Sequence, residues 1–394
     1  MKQYVFILIL TAAVTLAFAW VVWQLSRRYK LYPGIRERDV HTTPTPRLGG
    51  IAMYVGIVAA FLISSQHPFF AIIWSDPAPI LSILAATTLI VIVGVVDDLW
   101  DLDWMIKLGA QVLAAGIIAW FGELQIYSLP IGGMTGFSSG VSIVLTVLSI
   151  VVVMNAVNFI DGLDGLVGGV ALIANGVFFA YTYLMVRDTG ASTYFNLSSF
   201  IAVVLVGACI GFLPLNWGPA KLFMGDSGAL VLGLLMATSA IAITGQLDPA
   251  LLGDNDQFGR SQLLGAFIPI LLPIAVVILP LLDFGLAVVR RMRAGKSPFS
   301  PDRKHLHHRM LDMGHSDRGA VLIFYAWTAI AGLTFLLMYI ATRQNWFGQY
   351  WIGVAFGVVG GAACLVVTLL PSRRRPAVAS VASVADAHPP EETP

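Results

Sequence analysis

Charge is what this chain has least of. Only 11% of its 394 residues are Asp, Glu, Lys or Arg, against about 25% in an ordinary soluble domain. With 57% hydrophobic residues and a mean hydropathy of +0.81, that scarcity excludes a water-soluble globule and indicates a chain that crosses a membrane many times. Cysteine is almost missing too. Cys209 and Cys364 both lie in apolar runs, which excludes a disulfide framework. No repeat of convincing period is present, which argues for one membrane domain over residues 1–370. The net charge of +1 offers no basic face for nucleic acid.

What is present is a series of long apolar runs. Segments of about 17–25 residues can span the hydrocarbon of a bilayer. About eleven occur, near residues 4–25, 48–66, 79–96, 104–122, 139–156, 164–187, 197–213, 228–244, 263–289, 319–341 and 349–370. The expected fold is therefore an all-α polytopic membrane protein. Ala17-Phe18-Ala19 mimics a signal cleavage site, but its apolar run is longer than a signal h-region of roughly 7–15 residues. It reads as an uncleaved first helix. The ninth span holds Pro269, Pro273 and Pro280 and is expected to kink. Residues 124–133 alternate enough for a small periplasmic hairpin, and the Pro-, Ala- and Ser-rich residues 371–394 read as a disordered cytoplasmic tail.

The cations divide unequally between the loops. If the N-terminus is outside, Arg27, Arg28, Lys30, Arg47, Lys107, Lys221, Arg290, Arg291, Arg293, Arg303, Lys304, Arg309 and Arg318 all fall inside. Lys2, Arg187, Arg260 and Arg343 alone fall outside. This is the positive-inside bias, and it puts the C-terminus in the cytoplasm.

The same count places each unusual polar cluster on the cytoplasmic face. The third span ends in GVVDDLWDLDW, with Asp97, Asp98, Asp101 and Asp103. Between the fifth and sixth, NAVNFIDGLDGLVGG carries Asn155, Asn158, Asp161 and Asp164. Between the seventh and eighth, PLNWGPAKLFMGDSGAL carries Asn216, Lys221, Phe223 and Asp226. The ninth-to-tenth loop, RRMRAGKSPFSPDRKHLHHRMLDMGHS, carries Arg303, His305, His307 and His308.

Ionisable groups beside hydrocarbon suggest a functional site. A helical spacing puts Asp97 with Asp101, Asp98 with Asp101 and Asp161 with Asp164 on shared faces. One DD pair at a helix end can be a solvated boundary; three acidic clusters on one face call for a cation. Mg²⁺ suits oxygen ligands and keeps substrate phosphates in its shell. Glycines flank the acids at Gly162, Gly165, Gly225 and Gly228. They allow close backbone approach, and the N-termini of the sixth and eighth helices then read as anion sites. Gly168 and Gly169 read better as close helix packing. The histidines sit among cations, which disfavours zinc and favours substrate phosphate. Together these features suit phosphoryl transfer between a lipid and a cytoplasmic phosphate compound.

DDLWD, NAVNFIDGLDGL, KLFMGDSGAL and SPFSPDRKHLHHRML resemble, in order from about Arg47 to Asp317, the polyprenyl-phosphate N-acetylhexosamine-1-phosphate transferases. That resemblance implies attack of a polyprenyl phosphate on the sugar-linked phosphate of a UDP-N-acetylhexosamine, with release of UMP and with Mg²⁺, or Mn²⁺ in its place. It implies Asp226 as Mg²⁺ ligand and Asp97 and Asp98 as the acidic pair at the lipid phosphate, with Asp97 the activating base and a second metal contact. Asn155, Asn158, Asp161 and Asp164 would bind nucleotide and diphosphate. Phe223 would stack on uracil with help from Asn216, and Lys107, Arg303 and the three histidines would meet phosphate. His-Leu-His-His in place of His-His-His, with about eleven spans, resembles the N-acetylglucosamine branch. Its substrates would be UDP-GlcNAc and undecaprenyl phosphate, its product would start an envelope polysaccharide such as teichoic acid or O-antigen, and its site would be the bacterial inner membrane. Homodimers occur in the superfamily.

Three other readings remain. The muramoyl-pentapeptide transferase branch shares the chemistry. A secondary transporter would hold its acids near the midplane with repeat symmetry, and an intramembrane aspartyl protease would need a Gly-x-Gly-Asp setting that Phe223-Met224-Gly225-Asp226 lacks.

Overall fold

The computed structural model describes residues 1–31, 45–130, 134–189, 193–244, 278–293, 310–344 and 350–370, with Ile274 and Gly295. Eleven α-helices account for nearly all of them: α1 Lys2–Arg28, α2 Gly49–Ser65, α3 Ala78–Trp100, α4 Trp104–Phe121, α5 Ser139–Phe159, α6 Leu166–Thr189, α7 Thr193–Asn216, α8 Gly225–Thr244, α9 Ile278–Arg293, α10 Asp317–Arg343 and α11 Tyr350–Leu369. Among the described residues, 9 of these are long and apolar enough to cross a membrane, and α2 is a shorter apolar helix. The chain is a multi-pass membrane protein. Of the prolines expected to kink the ninth span, Pro269 and Pro273 lie outside the described residues, as does the tail, and Pro280 stands in the first turn of α9. The expected hairpin is present but shifted: β1 (Ser128–Pro130) pairs antiparallel with β2 (Met134–Gly136), Leu129 opposite Thr135.

Local chemistry sets several boundaries. Asp103 caps α4 by accepting from the Met105 amide at 2.8 Å, and Ser316 caps α10 by accepting from the Gly319 amide at 3.1 Å, each satisfying a donor that a helix start leaves over. At the end of α3, Asp101 takes φ 56, which stops the helix and turns the chain into α4. Asp101 therefore lies past the helix. The expectation that it shares a helical face with Asp97 and Asp98 is corrected by that turn.

Burial divides the helices into centre and rim. α7 and α8 are almost wholly buried, whereas α1 and α11 expose most of their surface. α8 is the hub: it packs on α2, α3, α5 and α7, with α1 outside α2 and α7. On the other flank α6 joins α7 to α10, and α11 rests on α10.

Alternate interhelix junctions gather at one end of the bundle. Phe223 pairs with Pro46, Asp98 meets α8, and Gly165 meets Asn216. Arg291 lies over Phe159, Arg318 reaches Gly218, and His315 reaches Thr368. That end carries Arg27, Arg28, Arg290, Arg291 and Arg293 in terminal turns. Arg187 and Arg343 sit in the last turns of helices that finish at the other end. The acidic clusters read from the sequence thus converge.

Candidate active site

The site is built around the first turn of α8. Residues 222–224 return along the start of α2: the Phe223 amide donates to Pro46 O at 2.8 Å, while Gly49 and Gly50 donate to Phe223 O and Met224 O, both at 3.0 Å. Gly225 then turns with φ +70, and a Cβ there would overlap Arg47 O and the Asp98 carboxylate. Only glycine meets both demands, because it alone takes this backbone without strain and has no side chain to collide. Gly94 plays the matching part on α3, where a Cβ would strike the Ser227 backbone.

This close approach brings Asp98 to the start of α8. Its Oδ1 accepts from the Asp226 amide at 3.0 Å. Its Oδ2 accepts from the Ser227 amide at 3.3 Å and the Ser227 hydroxyl at 2.9 Å. Two of the N–H groups that a helix start leaves over, the reason α8 was an expected anion site, are therefore met by a carboxyl group supplied from α3.

Asp97 points another way. Its Oδ1 accepts from the Leu102 amide at 2.8 Å, and its Oδ2 lies 3.1 Å from Lys107 Nζ. The same ammonium lies 3.3 Å from Asp226 Oδ2. Lys107 thus stands between two carboxylates whose residues are far apart in sequence. Asp97 is buried, while Lys107 and Asp226 keep 26% and 28% of their side chains exposed, so a solvent-borne substrate can reach the pair.

Asp161 and Asp164 lie in the loop between α5 and α6, not on one helical face, because α5 ends at Phe159 and α6 starts at Leu166. Asp164 is part of the scaffold: its Oδ2 accepts from the Ala220 amide at 2.8 Å. Asp161 is exposed. Desolvation by the surrounding loops, then repulsion from Asp226 and more weakly Asp164, pushes its carboxyl up to about 7, while Arg47 pulls it down. Because Asp161 stays open to solvent, water screens part of that rise.

Asn216 is a buried brace. Its Oδ1 accepts from the Gly165 amide at 3.1 Å and its Nδ2 donates to Leu222 O at 3.0 Å, so one amide ties both site loops together. Tyr325 adds a hydroxyl donated to Gly165 O at 2.6 Å. Asn155 donates to Gln111 Oε1 on α4 and to Val151 O at 2.8 Å, joining α5 to α4. Asn158 is half-buried and its carbonyl accepts from the Asp161 amide at 3.2 Å. Phe223 is also half-buried. Beside Asp164 opens a cavity of about 240 Å³ lined by Trp217, Gly218, Pro219 and Arg318 among others. Arg303, His305, His307 and His308 lie outside the described residues.

Four participants escaped the sequence reading: Arg47, Gln111, Ser227 and Tyr325. Two had a local signal. Arg47 precedes Gly49-Gly50 at the start of α2, and Gln111 follows Lys107 by four residues and so shares its face. Tyr325 had none, since its partner is 160 residues away.

Among the described residues, no three His, Cys, Asp or Glu side chains could hold a metal ion by themselves. Oxygen donors from Asp226 and Asp161, with a raised carboxyl that an added cation would relieve, nevertheless fit Mg²⁺. That ion takes one or two carboxylates and completes its shell with phosphate and water.

Comparison with known proteins agrees with this geometry. Residues 80–244 match the family described as Glycosyl transferase family 4. The chain is 40% identical over 373 residues to decaprenyl-phosphate N-acetylglucosaminephosphotransferase of Mycolicibacterium smegmatis, covering 93% of this chain and 88% of that one. It is 42% identical over 327 residues to the protein of that name from Mycobacterium tuberculosis, covering 82% and 79%. The undecaprenyl-phosphate alpha-N-acetylglucosaminyl 1-phosphate transferase of Escherichia coli is 26% identical over 324 residues, covering 80% and 78%. With the acids, the lysine and the glycine-built helix start all at one end of a membrane bundle, the chain belongs to the polyprenyl-phosphate N-acetylglucosamine phosphotransferases.

Proposed function

We propose that the protein transfers GlcNAc-1-phosphate from UDP-GlcNAc to decaprenyl phosphate at the cytoplasmic face of the bacterial inner membrane. The observation that carries the chemistry is Lys107 held between Asp97 and Asp226, which joins a cation suited to phosphate with carboxylates suited to a divalent cation. The relatives at 40–42% identity are named for a decaprenyl carrier, and the one at 26% for undecaprenyl. That favours the shorter carrier over the undecaprenyl phosphate expected from motifs alone.

The acceptor needs little activation. The second pKa of a phosphomonoester is about 6, so its oxygen is already nucleophilic near neutral pH. Asp97 orients this phosphate or takes its remaining proton, and Lys107 offsets the negative charge where the two substrates approach. The acceptor oxygen bonds to the sugar-linked phosphorus as the bond from that phosphorus to the bridging oxygen breaks, and UMP leaves. Asp226, with Asp161 nearby, would hold Mg²⁺, which when bound supplies charge neutralisation at the diphosphate. Phe223, half-buried beside the α2 start, is proposed to stack on the base. The histidine loop with Arg303 is proposed to meet phosphate.

A donor and acceptor panel tests this reading. Purified protein is given UDP-GlcNAc, UDP-GalNAc or UDP-MurNAc-pentapeptide with decaprenyl or undecaprenyl phosphate, and UMP release is followed. UDP-GlcNAc with decaprenyl phosphate is expected to give the highest kcat/KM. Preference for the muramoyl donor would overturn the donor assignment, and preference for undecaprenyl phosphate the carrier assignment.

A further inference from the structure

We infer that Asp98 is a positioning residue for the transfer reaction: it caps the start of α8 from α3, and so sets where Asp226 presents its carboxylate. The inference rests on the proposed role of Asp226 at the donor diphosphate.

Consecutive residues on a helix point about 100° apart. Asp97 and Asp98 look like a pair in the sequence, yet they serve different directions. Asp97 turns to Lys107. Asp98 turns to the α8 backbone, where both of its oxygens are engaged by three donors on two consecutive residues. The donors include N–H groups that a helix start leaves without intrahelical partners, and a carboxylate there is also favoured by the helix dipole. The packing makes this contact specific. Gly94 lies one turn before Asp98 and admits the Ser227 backbone, and Gly225 admits the Asp98 carboxylate itself. A side chain at either place would push α3 and α8 apart and break the cap. Three of the roughly four lone-pair sites of the Asp98 carboxylate are taken by the α8 start.

The cap acts on chemistry through geometry. The Asp226 amide held by Asp98 and the Asp226 carboxylate facing Lys107 belong to one residue. Releasing the first therefore swings the second.

The test compares Asp98→Asn, Asp98→Ala and Ser227→Ala with the wild type. Steady-state kinetics are measured in both substrates, and amide hydrogen exchange is followed in the first turn of α8. Charge-assisted hydrogen bonds support losses of about tenfold to 100-fold when removed. Asp98→Asn keeps one acceptor oxygen and should lose about tenfold in kcat. Asp98→Ala should lose about 100-fold and exchange faster at the Asp226 and Ser227 amides. Ser227→Ala should lose only a few-fold. The KM for polyprenyl phosphate should stay unchanged in all three. The inference is overturned if Asp98→Asn is as inactive as Asp98→Ala while the α8 amides stay protected, or if acceptor KM rises about tenfold. If Asp98→Ala does not fold, the other two variants still decide. A wild type that transfers no sugar phosphate would defeat the functional reading, and the exchange data would still judge the cap.

Discussion

Lys107 pairs with two carboxylates at once, and its removal has a definite consequence. In Lys107→Met, Asp97 and Asp226 would face each other with no ammonium between them. Loss of one preorganised donor from an active site costs about 100-fold to 1,000-fold in kcat, and turnover measurements should show a loss of that size. Asp226→Asn should nearly abolish turnover at every pH. Asp97→Asn should recover partly as pH rises, because more of the acceptor is then dianionic; a flat pH profile for that variant would count against Asp97 as its proton acceptor. Asp161 makes a separate prediction about stability. Its carboxyl, lifted from 3.8 to about 7, holds in the folded state a proton that the unfolded chain has already lost between those values. Its contribution is therefore fully present below about 3.8 and is lost as pH rises through about 7. In cation-free buffer, Asp161→Asn should resist denaturation relative to wild type increasingly as pH climbs through this window, and equal pH dependence in the two proteins would contradict the shift.

Among the elements, the α5–α6 and α7–α8 loops depend on one buried amide. Asn216→Ala would leave the Gly165 N–H without its acceptor and the Leu222 carbonyl without its donor. Each buried group so stranded costs about 1–3 kcal/mol, which denaturant titration of the purified protein should register as a lower midpoint. How far the sequence disclosed these elements depended on the range of the signal. Apolar runs are local, so the helices other than α9 were legible within a few residues, and the acids at their ends marked the end of the bundle where they meet. The directions of Asp97 and Asp98 were not legible. Their divergence follows from Gly225 and Gly94 letting α8 press against α3, a contact across 128 residues. The same holds for Asp101, whose φ of 56 breaks the helical spacing that seemed to unite the acids. Hydropathy also could not tell hub from rim. α7 and α11 share a mean hydropathy of 2.3 over their most apolar windows, yet 83% of one window is buried and 11% of the other.

For the whole molecule, the site is an assembly of four junctions that meet at one end of the bundle. If the cation it works with is Mg²⁺, EDTA should abolish transfer and added Mg²⁺ restore it, whereas a zinc-selective chelator should do nothing. Restoration by Zn²⁺ alone would reverse that assignment.

The long reach of the Asp98 cap also has a consequence for biosynthesis. Its partners on α8 are made 128 residues later, roughly 6–26 s at ribosomal rates of about 5–20 residues per second. For that interval α3 carries a carboxylate at the membrane edge with no helix start to receive it. Water, a cation or a proton must offset its charge until α8 arrives. This junction is therefore completed by the delivery of two backbone amides to an acid that has been waiting for them.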